Sequence, residues 1–236
     1  MKNILVTGCS KGIGFEIVKN FAHKDNFNVL GISRDKEGLR KLEIESHKIN
    51  KSFILHTLAL DLTDSDSILK IVQYINSKFN KSLDGIIHNA GMLINKPFLE
   101  ITKQELTDIF SVNVVSPFIL TQKLIPFLKQ QSHILTISSM GGIQGSQKFK
   151  GLSAYSSSKG ALITLTECLA EEFKSENLIF NSLALGAVQT EMLSKAFPGY
   201  QAPLKSSEMA SYIVQFFIDG AQYFNGRIIP VSLTTP

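Results

Sequence analysis

The sequence predicts an α/β domain, a doubly wound and mainly parallel sheet with helices on both faces, and three observations lead there. Short apolar runs alternate with segments of helical periodicity along the whole chain. A glycine-rich turn joins the first apolar run to the first helical pattern. Small or polar residues, Asn89-Ala90-Gly91 and Ser138-Ser139 among them, recur where predicted strands end. At 236 residues, with no repeat or linker, the chain suits one domain spanning residues 1–236.

The first strand, residues 2–6, stops at Thr7, and a helical pattern runs from Gly12 through Ile13, Ile17, Val18 and Phe21. Between them Gly8-Cys9-Ser10-Lys11-Gly12-Ile13-Gly14 has the spacing G-x-x-x-G-x-G. Free N–H groups at a helix start attract anions, and glycines let a pyrophosphate approach the backbone. Gly8, Ser10, Lys11, Gly12, Ile13 and Gly14 are therefore candidate ligands of a dinucleotide. The same stretch fits the G-x-S-x-G nucleophile turn of hydrolases, which needs a late histidine and a preceding sheet. Here the last histidine is His133 and no sheet precedes the turn, so that reading falls away.

The second strand, residues 28–32, ends at Ser33-Arg34, with Asp35 next. A guanidinium suits a ribose 2′-phosphate, and Lys11 could add a second positive charge, which favours NADP(H) over NAD(H). A carboxylate at this place would bind a free 2′-hydroxyl, so Asp35 keeps NAD(H) open. A charged helix over 36–48 leads to a third strand, 53–59, followed by Asp61-Leu62. Asp61 either accepts from an adenine amino group or is a loop acid beside the cap, Thr63 or Asp64, of a helix over 67–79. The fourth strand, 85–88, delivers Asn89, Ala90 and Gly91, small enough for a cofactor to approach.

A helical stretch over 102–128 places Asn113 among apolar residues, with Pro117 and Pro126 expected to bend or end parts of it. A buried amide needs bonds, so Asn113 either ties two segments together or holds a water. The fifth strand, 133–137, ends at Ser138-Ser139, and a glycine-containing loop follows. The next helix, continuing to about residue 174, carries Tyr155 and Lys159, four apart and on one face. An ammonium beside a phenol favours the phenolate and draws its pKa down from about 10, and a nearby serine could hold a carbonyl oxygen. That constellation suits carbonyl reduction. A sixth strand, 178–185, ends in Gly186-Ala187-Val188-Gln189-Thr190. An irregular lid over about 190–206, a helix over 207–218 and a last strand over 226–231 complete the chain.

The net charge of +4 is small and dispersed, which argues against a nucleic-acid partner. Single histidines and two cysteines, Cys9 and Cys168, offer no metal-ligand spacing, and free thiols fit a reducing compartment. No apolar run approaches ~20 residues, so no membrane partner is expected, and the chain reads as cytoplasmic.

Across nearly its whole length the sequence resembles the short-chain dehydrogenase/reductase family, through Thr7 to Gly14, Asp61-Leu62, Asn89-Ala90-Gly91, Asn113, Ser139, Tyr155-x-x-x-Lys159, and Gly186 with Thr190. The resemblance implies a seven-stranded Rossmann-type sheet, a nicotinamide cofactor and a catalytic set of Asn113, Ser139, Tyr155 and Lys159. By that likeness Tyr155 is the proton donor, and Lys159 lowers the phenol's pKa and bonds the nicotinamide ribose. Ser139 holds the substrate oxygen, with Ser138 as the fallback, and Asn113 holds a water. Gly186, Val188 and Thr190 would contact the nicotinamide.

The resemblance also implies a small-molecule carbonyl or alcohol as substrate, 3-oxoacyl compounds included, and pairing of long helices into homodimers or homotetramers. A regulator that binds cofactor without turnover is the alternative. Two features depart from the pattern. Leu185 stands where similar proteins carry proline, and the spacing of 16 from Ser139 to Tyr155 is about three longer than usual. That longer loop is expected to border the substrate pocket, with Met92, Met140, Phe149, Met192 and Phe197 as candidate liners.

Overall fold

The computed structural model describes residues 1–233. Its strands and helices in chain order are β1 (Lys2–Thr7), α1 (Gly12–Ala22), β2 (Phe27–Ser33), α2 (Lys36–Ile49), β3 (Ile54–Ala59), α3 (Ser65–Lys78) and β4 (Leu83–His88). There follow α4 (Lys103–Phe110), α5 (Ser116–Leu124), β5 (Leu128–Ser139), α6 (Ser153–Glu172) and β6 (Ile179–Leu185). The last part comprises β7 (Val188–Gln189), α7 (Glu191–Ala196), β8 (Leu204–Lys205), α8 (Ser206–Asp219) and β9 (Arg227–Val231).

Seven strands form one sheet in the order β3-β2-β1-β4-β5-β6-β9, and every neighbouring pair is parallel. Central strands of such a sheet are covered on both faces and so read as unbroken apolar runs. Ile4, Leu5 and Val6 of β1 accordingly have no exposed surface. One face packs on α1, α2 and α8, where Phe21 meets Phe217 edge to face at 5.9 Å. The other packs on α3 and α5, with Ile71, Ile75, Leu120 and Leu124 fully buried. The chain leaves β3 at one edge and returns to the centre as β4, so the strand order reverses between β1 and β4. A crevice opens outside the carboxyl ends of the strands at that reversal.

From α4 to the turn after α5 the helix is continuous, Lys103–Phe127, with a mean hydropathy of 1.3 in its most apolar window. By length and composition it could cross a membrane, which corrects the expectation that no apolar stretch approaches that length. Its apolar face is part of the domain core, where Ile109, Leu120 and Leu124 are buried and Ser116 Oγ donates to the Leu62 carbonyl at 3.0 Å. Between α4 and α5 lies a single π-turn, Ser111–Val115, in which the Ser116 N–H reaches back five residues to the Ser111 carbonyl. Pro117 has no N–H to donate, yet the helix runs on past it, because the wide π-turn directly before it takes up the irregularity.

Candidate active site

The cofactor half of the crevice starts from the tips of β1 and β4. Asn89 Nδ2 donates to the carbonyls of Thr7 and Gly8 at 3.1 and 3.0 Å, and Thr7 Oγ1 accepts from the N–H groups of Asn89 and Ala90. Asn89 thus zips the two tips together. Gly8 has φ +68°, and a Cβ there would lie 2.7 Å from Ala90 Cα. A Cβ on Gly14 would collide with the Gly8 carbonyl and the Asn89 amide. Gly14→Ala is expected to cost about 1–3 kcal/mol of stability by overpacking, together with a loss of dinucleotide affinity. A denaturant midpoint and a cofactor titration unchanged from wild type would contradict this.

The first turn of α1 has no side-chain cap at Lys11 and no acidic residue, so its N–H groups are open to an anion. Gly8, Ser10, Lys11, Gly12 and Ile13 all line a cleft of about 530 Å³. At its outer end Ser33 Oγ and Ser10 Oγ are 2.7 Å apart, and Arg34 pairs with Asp61 at 3.4 Å, its side chain 72% exposed. Asp61 also accepts from the Thr63 N–H and hydroxyl. Partial burial pushes its carboxyl up, but the Thr63 bonds and the Arg34 guanidinium outweigh this and hold it below the ordinary value. Asp35 caps α2, accepting from the Gly38 N–H at 3.0 Å, and Asp64, not Thr63, caps α3. Lys11 turns away from Arg34 and pairs with Glu191 on α7 at 3.0 Å.

At the inner end β6 and α7 supply the other wall. Leu185, in the place of the family's proline, is buried and aligned with Ser139 of β5 and Val231 of β9. The turn survives without proline because the Gly186 N–H donates to the Val231 carbonyl at 2.9 Å, and a Cβ on Gly186 would strike Ser232. Val188 is buried, and Thr190 caps α7 by accepting from the Leu193 N–H at 3.2 Å. Leu62, Ala90, Gly91, Gly186, Val188 and Thr190 all line the same cleft.

Ser139, Tyr155 and Lys159 meet at the carboxyl end of β5. Ser139 Oγ lies beside the Tyr155 phenol and accepts from the Gly141 N–H at 3.2 Å. Ser138 points elsewhere, donating to the Lys159 carbonyl at 3.0 Å, which leaves Ser139 as the serine facing the phenol. Lys159 Nζ lies 5.9 Å from the Tyr155 ring centre and donates to the Ile137 carbonyl at 2.8 Å. Burial pushes the Tyr155 phenol up, with Ser139 opposing it, the reverse of the direction expected from Lys159. Burial also lowers Lys159 to about 8.

Asn113 is bonded at both ends of its amide. Its Oδ1 accepts from the Met92 N–H at 2.7 Å, and its Nδ2 donates to the Met92 carbonyl and to Ser158 Oγ, both at 2.9 Å. Of the two roles open from sequence, tying segments together is the one these bonds perform. Ser158 continues the chain by donating to the Tyr155 carbonyl at 2.7 Å.

Two residues escaped the sequence reading. Ser158 carried a faint signal, since it lies one turn after Tyr155 on the buried side of the helix. Asn95 carried none; it donates to the Ala196 carbonyl of α7 at 2.7 Å and its Oδ1 lies against Gly151, joining the segment after β4 to α7 and to the loop before α6. Of the candidate liners only Met192 reaches the cleft. The long loop before Tyr155 borders a second cavity instead, where Phe149 faces Phe98 and Leu99. Among the described residues no cluster of three or more His, Cys, Asp or Glu could hold a metal, and both cysteines are free.

A family model described as short chain dehydrogenase matches residues 2–201. A 3-oxoacyl-[acyl-carrier-protein] reductase of Buchnera aphidicola is 29% identical, over 98% of this chain and 96% of its own. An uncharacterized oxidoreductase of Escherichia coli is 35% identical, over 83% of this chain and 77% of its own. A solved short chain dehydrogenase from Shigella flexneri complexed with NADP superposes with a TM-score of 0.86 at 28% identity, covering 97% of this chain and 96% of that one.

Proposed function

Because this chain belongs to the short-chain dehydrogenase family and is an oxidoreductase of that family, we propose that it reduces a ketone or aldehyde carbonyl with NADPH, reversibly, using Tyr155 as general acid and base. The observation that carries this is the grouping of Ser139, Tyr155 and buried Lys159 at the strand-end crevice. The glycine turn, the uncapped start of α1 and the small residues at the β4 tip fit a nicotinamide dinucleotide. When bound, the nicotinamide supplies the hydride.

The chain's own residues supply the rest. Ser139 Oγ and the Tyr155 phenol can bond one carbonyl oxygen together, polarising it and fixing its position. Tyr155 then transfers its phenolic proton to that oxygen as the alkoxide forms. Below pH about 8 Lys159 is an ammonium in a buried site, where it stabilises the phenolate left behind. Asn113, through Met92 and Ser158, is a positioning residue holding the β4 tail against the helix that carries both groups. A regulator that only binds cofactor has no need of this set.

The preference for NADP(H) rests on Arg34, with Ser10 and Ser33 beside it, and on Asp35 being committed to its helix cap. The solved relative complexed with NADP agrees. Arg34→Ala is expected to lower kcat/KM for NADPH about 10- to 100-fold while sparing NADH, the value of one charge-assisted phosphate contact. Equal losses with both cofactors would remove Arg34 from that role. The substrate is a small carbonyl compound, and the named relative keeps 3-oxoacyl compounds within that class. Leu106, Val115 and Phe118 lie 44%, 52% and 44% exposed along the long helix, which supports pairing of that helix in a homodimer or homotetramer. Two free thiols suit a reducing compartment, the cytoplasm.

A further inference from the structure

Resting on the reductase reading, we infer that the substrate is an uncharged carbonyl compound with an apolar flank, because Leu93, Val188, Met192 and Leu193 line the cleft from the elements that follow the β4 and β6 tips, while each charged side chain in the cleft already has a partner. Six charged residues line the cleft: Lys11, Arg34, Asp35, Asp61, Lys159 and Glu191. Arg34, Asp35 and Asp61 belong to the ends of β2 and β3, on the far side of β1 from Tyr155. Lys159 is 4% exposed and bonded to the Ile137 carbonyl. Lys11 pairs with Glu191, and Glu191 also holds Lys195.

A carboxylate or phosphate on the substrate would therefore have to draw Lys11 or Lys195 away from Glu191, since Lys159 is held by the Ile137 carbonyl and Arg34 lies on the far side of β1. A charge taken out of water without a partner is strongly disfavoured. An apolar group gains instead, since Met192 on the lid is 42% exposed and has surface left to cover.

Matched pairs of substrates test this with the full chain and NADPH: 2,3-butanedione against pyruvate, and 1-phenyl-1,2-propanedione against phenylglyoxylate. Each pair exchanges an acetyl group for a carboxylate beside the reacting carbonyl. The uncharged member is expected to be favoured at least 100-fold in kcat/KM. Met192→Arg, on an exposed lid position, is expected to move that ratio at least tenfold toward the oxo acid. A wild-type ratio near one, or one favouring the acid, overturns the inference, as does a ratio that Met192→Arg leaves unmoved. Turnover of neither member, with NADPH demonstrably bound, overturns the reductase reading itself.

Discussion

Tyr155→Phe is expected to lower kcat by about 10²–10⁴-fold, the range for removal of a general acid, while NADPH still binds. The substitution removes one oxygen and keeps the ring. The ring lies beside Lys159 in the first turn of α6, so the fold and the cofactor wall should persist. What disappears is the proton source beside Ser139. The wild-type phenol, pushed up by burial, stays protonated across the neutral range and is ready to donate. Single-turnover oxidation of NADPH, with affinity followed by fluorescence titration, separates the two effects. Wild-type turnover in the variant would move the acid elsewhere; lost cofactor binding would make Tyr155 a structural residue.

Acidification from pH 6.5 to 4 should destabilise the protein by several kcal/mol, through two buried histidines. His88, bonded to Thr121 Oγ1 at 2.8 Å, and His133, stacked on Phe217 with a ring separation of 5.3 Å, are each 4% exposed or less. Gly85 makes that stack possible, because a Cβ there would lie 2.5 Å from the Phe217 ring. Burial lowers both histidines from 6.5 to about 4. Between those values the unfolded chain binds protons that the folded chain refuses, so stability is full above pH 6.5 and falls as pH drops toward 4.

Each shift corresponds to about 3 kcal/mol, which makes the pair a large part of a typical folding free energy of about 5–15 kcal/mol. The depressed carboxylates Glu105, held down by Thr102 and Lys96, and Glu191, held down by Lys195 and Lys11, give up their stabilisation only as pH falls below the ordinary value of 4.5, so the range above about pH 5 belongs to the histidines. Urea midpoints at pH 7.5, 6 and 5 check it. A flat profile across those three would show that neither ring stays neutral in the fold. His133→Gln should flatten about half of the slope.

Much of the architecture was legible because the central strands are apolar throughout and the helices keep a clear period. All seven sheet strands lie where the sequence placed them, within two residues at most ends. The exception is β5, which begins at Leu128 rather than 133. Its first residues, Lys129-Gln130-Gln131, are polar and exposed, and Leu128 pairs with Leu83 across a shift in register. Nothing apolar marks such an extension. The lid read as irregular because Pro198 and Pro203 break any period; it contains a six-residue helix and a two-residue strand that pairs with β7 just before it.

The site divided in the same way. Positions fixed by chain-local chemistry, the glycine turn and the pair Tyr155 and Lys159, could be read directly. What those groups do to one another could not, because burial decides it. Proximity in sequence suggested that Lys159 draws the phenol down, yet burial is the larger effect on both groups and sets the direction in which each moves. Lys11 likewise looked like a neighbour of Arg34, until the fold brought Glu191 to it from 180 residues away.

The π-turn at Ser111–Val115 bears on which sequence changes a lineage of such proteins can survive. A π-turn is an α-helix with one residue too many, and losing any one of the five would restore regular helical geometry. That deletion looks harmless, even favourable, by local propensity. It would rotate the two halves of the helix by about 100° relative to each other. Either Asn113 would leave Met92 and Ser158, or Leu120 and Leu124 would leave the core. Insertions and deletions should therefore be tolerated in the loop before Tyr155 and be purged from this helix.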